Sequence, residues 1–186
     1  MASKEHFVQG LSEILVRHKI FSQSEAIVLQ KSFEEASQES FDEFLLDEGL
    51  IDKEDMLRAL GEYYEIPAVD LAGYFFQTFL LRKFPQGVMM RNTFVPLEID
   101  QNMLVVTAGD PNNPELLSII GKYVSYDIHF RVSIKRDIVD SVREFYDKSD
   151  TEVDEEMAAY EDFGVERVYD IELEGDYSSP GEEEDL

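Results

Sequence analysis

Histidines, paired acids and one turn are the features of this sequence whose residue types could support chemistry. His6, His18 and His129 are far apart and match no spacing known for metal-binding histidines. Acidic pairs such as Glu34–Glu35 are frequent because the whole chain is acidic, and none stands out as a general acid and base. We therefore expect no metal, no cofactor and no catalytic residue, and we predict that the protein is not an enzyme.

Loops that hold nucleotide phosphates have known patterns, and neither a Walker loop nor a G-x-G-x-x-G run occurs in the sequence. The segment TAGDPNNPE (residues 107–115) could present backbone N–H groups to an anion at a helix start. We favour the simpler interpretation, in which Asp110 and Asn113 cap their own backbone and Pro114 starts a helix. With no cysteine in the chain, disulfides, thiolate zinc sites and cysteine nucleophiles are excluded as well.

The net charge of −25 at pH 7 is concentrated at the C-terminal end. Residues 150–186 hold 16 acidic residues and one arginine, which gives this segment −15 of the total. Repulsion between like charges disfavours nucleic-acid and anionic-membrane partners and favours a basic one. We predict a largely disordered acidic tail at residues 149–186, which either steers a partner or only keeps the protein soluble. The candidate partner-binding residues in it are Glu182, Glu183, Glu184 and Asp185.

The N-terminus, MASKEHFVQGL, lacks the apolar run of a signal peptide. No stretch of the chain approaches the roughly 20 apolar residues that a transmembrane helix needs. We therefore expect a cytoplasmic, bacterial protein with no direct membrane insertion.

A helical subdomain is predicted for residues 1–66, with its clearest signals in the second half. Phe41, Phe44 and Leu45 share one helix face, and Gly49 follows where a helix commonly ends in a left-handed conformation.

The next helix starts at once. Asp52 has the position of its N-cap and Asp55 that of the capping-box acid, while Pro67 excludes further helix. Residues 41–66 are therefore predicted to form a helix–elbow–helix unit.

An earlier segment repeats this pattern thirty residues upstream. The shift places Leu15 on Leu45, Ser22 on Asp52 and Ile27 on Leu57, so the cap position is polar in both copies. Two copies at a fixed period predict paired helical hairpins that bury their faces on each other. The alternative is that any bundle of four helices produces such coincidences.

Residues 67–148 are predicted to form a small α+β subdomain. YFFQTFLLRKF is expected to be a helix stopped by Pro85 and Gly87, and residues 93–110 a hairpin with its turn at 100–102. Pro96 inside the first strand indicates an edge position or a bulge. A helix, the strand YDIHFRVSI and a final helix, KRDIVDSVREFYD, follow. The whole chain is thus predicted to be an α+β protein, with a helical bundle, a two-layer sandwich of about three strands and an acidic tail.

The stretch FDEFLLDEGLIDKEDMLRALGEYYEIPAVDL (residues 41–71) resembles the N-terminal domain of type II secretion and type IV pilus assembly ATPases, an MshEN-like domain. Gly49-Leu50-Ile51 stands where this family has a Gly-Leu-Ile elbow, and residues 66–71 stand where it has Ile-Pro-Phe-Val-Asp-Leu. Val95-Pro96-Leu97 and residues 108–111 are similar to its later strand and turn. The resemblance covers about residues 7–147 and implies the fold more strongly than the function.

The resemblance implies a stand-alone version of the regulatory or docking domain, because the ATPase engine of the family is missing from the sequence. In the family this domain meets a membrane platform protein of the secretion or pilus system, or a neighbouring ATPase domain. We therefore expect a non-enzymatic protein–protein docking or regulatory module whose partner is such a platform component or ATPase.

The alternative is a sensor of a nucleotide second messenger. Some members of the family bind cyclic di-GMP through tandem helical units that begin with Arg-Leu-Gly, with a Gln near the end of the second helix. Here Gly10-Leu11-Ser12 and Ser40-Phe41-Asp42 stand in those places, and Asp42 would face a phosphate with the wrong charge. We therefore do not expect cyclic di-GMP to bind.

Overall fold

The chain begins with helices that are joined in pairs by tight elbows. They belong to a computed structural model that describes the backbone of residues 2–36, 38 and 40–162, and the side chains of residues 4–36, 38 and 40–148. Within that part, the unit Met1–Ser149 holds both pairs and the sheet that follows. The four helices are α1 (Ala2–Arg17), α2 (Gln23–Glu35), α3 (Phe41–Asp47) and α4 (Lys53–Tyr64).

The two elbows have the same backbone geometry. Lys19 has a φ of 61° and Gly49, thirty residues later, has a φ of 65°. In both elbows the following residue donates its N–H back into the first helix, to the carbonyl of Leu15 in one and of Leu45 in the other, at 3.0 Å in each case. This is the left-handed helix ending predicted from the sequence, and it confirms the paired helix–elbow–helix units.

Both second helices begin with a side-chain cap. The Asp52 carboxylate accepts from the N–H of Asp55 at 2.8 Å, but the Asp55 carboxylate itself binds Arg58 at 2.7 Å. A full capping box forms in the first unit, where Ser22 accepts from the Glu25 N–H and the Glu25 carboxylate accepts from the Ser22 N–H at 2.7 Å. The hydrogen bonds from Ser22 lower the pKa of Glu25.

Replacing Gly49 tests the elbow directly. Its φ of 65° is strained for any residue with a Cβ, and nothing lies within 4 Å of that Cβ. We therefore expect Gly49→Ala to lower the free energy of unfolding by about 1 kcal/mol through backbone strain alone. The measurement is urea unfolding followed by circular dichroism.

The control for this prediction is Gly87→Ala. An added Cβ there also meets nothing within 4 Å, and Gly87 lies in a helix at negative φ. It should leave stability unchanged or raise it by up to about 1 kcal/mol. Equal effects of the two substitutions would contradict the strained elbow.

A sheet of three strands follows the helical units: β1 (Phe94–Asp100), β2 (Met103–Ala108) and β3 (Asp127–Val132), in the order β1-β2-β3. The first two strands are antiparallel and turn where the sequence predicted, while β2 and β3 are parallel and connected through α7 (Leu116–Ile120). Pro96 lies on an edge strand beside a shift in register. Proline has no N–H to donate to a neighbouring strand, and both an edge strand and a register shift tolerate this.

The segment between the helical units and the sheet differs from the prediction. Residues 74–77 are not helical, α5 covers only Thr78–Leu81, and α6 (Gln86–Arg91) begins directly after Pro85 with Gly87 inside it. The first helix has already ended at Leu81, and Pro85 is the N-cap of the next one, because proline is excluded from helix interiors but not from the position before the first turn.

The last helix is longer than expected. Helix α8 runs over Lys135–Asp162 and so extends past the predicted end of KRDIVDSVREFYD into the acidic segment. None of the described helices is long and apolar enough to cross a bilayer. The predicted tail residues Glu182, Glu183, Glu184 and Asp185 lie outside the described residues.

Buried apolar side chains of the described residues form two clusters. One lies among the helical units, and the other lies between the sheet and α5 to α8. The helical cluster also takes in Val132 and Ile134 from the end of β3. Beside them, the Val132 N–H donates to the Pro67 carbonyl at 3.1 Å, and the Val69 N–H donates to the Val132 carbonyl at 2.9 Å. Pro67 thus ends the helical segment by joining it to the sheet, and the division into residues 1–66, 67–148 and 149–186 stays a prediction.

Candidate binding site

A polar pocket of about 530 Å³ lies where the helical units approach the loop after β2. Phe41 at the start of α3 and Tyr63 and Tyr64 at the end of α4 line it, opposite Asp110 of the loop. The pocket therefore brings together the start of the second helical unit and the turn TAGDPNNPE, which the sequence had marked separately. Its basic lining residues are Lys4, His6 and Lys135.

A buried carboxylate lies beside this pocket. Asp42 is 1% exposed and accepts a hydrogen bond from the Ser40 hydroxyl, which in turn accepts one from Lys135 Nζ at 3.1 Å. Lys135 therefore interacts with the Asp42 carboxylate through the Ser40 hydroxyl. Ser40 and Lys135 also line a second pocket, of about 590 Å³, so this linkage forms part of the boundary of both pockets.

Two titratable groups near these pockets are perturbed. Burial raises the pKa of Tyr64, with a further contribution from the charge of Asp110. Burial also raises the pKa of Glu43, and the neighbouring charge of Asp42 adds to the shift.

The turn follows the prediction at Asn113, but not at Asp110 or Pro114. The Asn113 side chain accepts from the Glu115 N–H at 3.0 Å, and the Asp110 carbonyl accepts from the Asn113 N–H at 3.2 Å. Helix α7 begins at Leu116, after Pro114 rather than with it. The Asp110 carboxylate adds a negative charge to the pocket, which disfavours a phosphate there.

A second kind of site is an apolar surface on α2 and the second elbow, which we call the α2 surface. Ile27 is 58% exposed, Val28 62% and Leu50 39%. Val28 and Leu50 line a pocket of about 340 Å³, together with Phe21 and Leu29. This surface is the kind that a protein partner covers.

A third site, which we call the aromatic groove, lies between residues 71–76 and α8. Its volume is about 300 Å³. Phe75 on its border is 96% exposed.

The residues predicted from the sequence lie in different parts of the structure. Gly49 and Asp52 flank Leu50, so the elbow residues adjoin the α2 surface. Among the described residues, no group of three or more His, Asp or Glu is placed to hold a metal ion.

Sequence reasoning missed the exposure of Ile27 and Val28. The sequence did contain a signal for it. Successive residues of a helix point about 100° apart, so Ile27 and Val28 cannot both lie on the face of α2 that buries Ala26 and Phe33.

Comparison with known proteins places this fold in a recognised class. The helical hairpins followed by a three-stranded α+β layer match a structure of MshE with cdg at a TM-score of 0.60 and 16% identity, over 73% of this chain and 98% of that one. The N-terminal domain of XpsE gives a TM-score of 0.52 at 16% identity, over 73% of this chain and 92% of that one. No curated protein matches the sequence.

A family model matches slightly less than half of the chain. Residues 64–152 match the MshEN domain. This match and the two structural neighbours confirm the resemblance, seen in the sequence, to the N-terminal domain of type II secretion and type IV pilus assembly ATPases.

Proposed function

We propose that this protein is a non-enzymatic docking module that binds the cytoplasmic part of a secretion or pilus platform protein. The observation that carries the proposal is the α2 surface, where Ile27 and Val28 are more than half exposed. Adjacent β-branched residues on an exposed helix lower its intrinsic stability slightly, so the folded monomer gains nothing from them. Covering each with a partner would contribute about 1.5–3 kcal/mol.

Charge supports the same kind of partner. The chain carries −25, and Glu25 borders the pocket next to Val28. A partner segment with an apolar anchor and flanking Lys or Arg is therefore favoured, and its association rate should fall as salt rises. We propose that the acidic residues Glu182 to Asp185 add to this steering.

The test is a direct binding measurement with purified platform cytoplasmic domains and ATPases from the same genome. We expect the double substitution Ile27→Asp and Val28→Asp to weaken binding by about 100-fold, since it puts two carboxylates into an apolar contact. Circular dichroism should show an unchanged fold, because both side chains are exposed.

The matched control is Phe75→Asp, which introduces the same charge at an exposed apolar residue on another surface. It should leave this affinity within about twofold, in line with the small effects of changes outside an interface. The proposal fails if wild-type protein binds none of these proteins, or if the α2 variant binds them as well as wild type does.

Nucleotide sensing is the second candidate, and one observation favours it. MshE, whose fold this chain shares, was solved with cdg, cyclic di-GMP, which conflicts with our expectation that this ligand does not bind. Two features oppose the binding of cyclic di-GMP. The buried Asp42 carboxylate is linked to Lys135 through the Ser40 hydroxyl, and α4 ends in Tyr63-Tyr64 without a glutamine. Calorimetry with cyclic di-GMP at moderate salt decides, and saturable heat at micromolar ligand would make sensing the leading function.

A further inference from the structure

The aromatic groove begins with a loop that is held in shape by its own hydrogen bonds. The Asp70 carboxylate accepts from the Ala72 N–H at 2.9 Å, and Gly73 turns the chain with a φ of 70°. The turn places Tyr74 and Phe76 on the core, with ring centroids 5.0 Å apart, and leaves Phe75 between them 96% exposed. A fully exposed phenylalanine on such an ordered loop contributes no stability to the folded monomer.

The opposite wall of the groove is α8, which is fixed to the rest of the protein. Phe145 lines the groove and packs edge-on against Tyr146 at 5.2 Å. The Tyr146 hydroxyl donates to the Phe84 carbonyl at 3.0 Å, which anchors this turn of the helix. Both walls are therefore built before any partner arrives, and a preformed groove loses less entropy on binding.

The polar groups of the groove suit a ligand with unpaired carbonyls. Tyr74 and Ser141 line it and carry hydroxyl groups. Burial raises the pKa of Tyr74, and the charge of Glu98 adds to the shift, so its phenol keeps the proton that it would donate. Glu144 and Lys148 border the groove as an ion pair of 2.5 Å.

We propose that the aromatic groove binds an extended, proline-containing segment of a partner protein, with basic residues beside the prolines. Such segments have no internal hydrogen bonds and stack their rings on aromatic side chains, while their free carbonyls accept from hydroxyl groups. The aromatic lining residues and the hydroxyls of Tyr74 and Ser141 supply both kinds of contact. Basic flanking residues follow from the net charge of −25, which favours a cationic partner.

This site is distinct from the α2 surface and does not depend on the docking function proposed for it. The two surfaces share no lining residue. A variant of either one therefore serves as the control for the other, and failure of one proposal leaves the other standing.

The test is a titration of the full-length, ¹⁵N-labelled protein with a synthetic peptide, Pro-Leu-Pro-Pro-Leu-Pro-Pro-Leu-Arg-Arg. We expect saturable shifts at Gly73, Phe75 and Ser141, with a dissociation constant on the order of 100 μM for a short linear motif. Phe75→Ala should weaken binding by about tenfold or more, as loss of an aromatic anchor does. The variant with Ile27→Asp and Val28→Asp should bind as wild type does.

Two peptide controls separate proline recognition from charge. In one, glycine replaces every proline and the arginines stay, and we expect it to bind about tenfold more weakly because the preformed extended conformation is lost. The other is an amphipathic helix of leucine and lysine. The proposal is overturned if the glycine peptide binds equally well, if Phe75→Ala has no effect, or if the helical peptide binds the groove more tightly.

Discussion

Truncating Phe41 to alanine should lower the free energy of unfolding by about 3–5 kcal/mol, the range found for phenylalanine in a packed core. Its side chain is 2% exposed at the first position of α3. The ring lies 5.3 Å from that of Phe33 and 6.3 Å from that of Phe44, so its removal leaves a cavity between the two helical units. A domain of ordinary stability, about 5–15 kcal/mol, would lose roughly a fifth or more of it.

Phe75→Ala is the matched control, because it is the same chemical change at a ring that is 96% exposed. Its effect on stability should stay within about 0.5 kcal/mol, as for most surface substitutions. Urea unfolding followed by circular dichroism measures both variants. If the two lost similar stability, the helical units would not share the core that the structure shows. The same pair also separates the two roles, since Phe75→Ala should weaken peptide binding without unfolding the protein.

The features that could be predicted from the sequence are those with short-range causes. The elbow at Gly49, the cap at Asp52 and the hairpin turn before β2 each follow from residues a few positions apart. The repeat reaches further, because the thirty-residue shift that places Leu15 on Leu45 also places Lys19 on Gly49. Lys19 takes the left-handed conformation without being glycine, so its place in the repeat was the signal for it, not its residue type.

The features that were missed depend on tertiary contacts. The repeat aligns Ile27 with Leu57, yet Leu57 is 8% exposed and Ile27 58%. Leu57 belongs to the buried cluster that Val132 and Ile134 complete, whereas Ile27 faces solvent. A periodic pattern places residues on a common face but does not show which element covers that face. The polar pocket also could not be predicted from a local pattern, since Phe41 and Asp110, which both line it, come from segments about seventy residues apart.

The hydrogen bonds that link Asp42, Ser40 and Lys135 also depend on a tertiary contact. They lead to the second prediction with a large expected effect. Asp42 was identified in the sequence as a charge unsuited to a phosphate, but the sequence did not show what compensates it. The structure places Lys135, from the start of α8, next to Ser40, whose hydroxyl bridges to the Asp42 carboxylate. A carboxylate that is 1% exposed needs such compensation, because an unpaired buried charge is strongly destabilising.

We therefore expect Lys135→Met, which keeps the length of the stem but removes the charge, to cost about 2 kcal/mol. Asp42→Asn in the same chain should recover most of the loss, because it removes the carboxylate that was left uncompensated. Urea unfolding of the two single variants and the double variant forms a cycle, and we expect an interaction free energy above about 1 kcal/mol. Additive effects would mean that Lys135 acts through its packed stem alone. A positive result has a consequence for ligand binding, since a lysine that stabilises the protein's own buried carboxylate is not free to pair with a phosphate in the polar pocket.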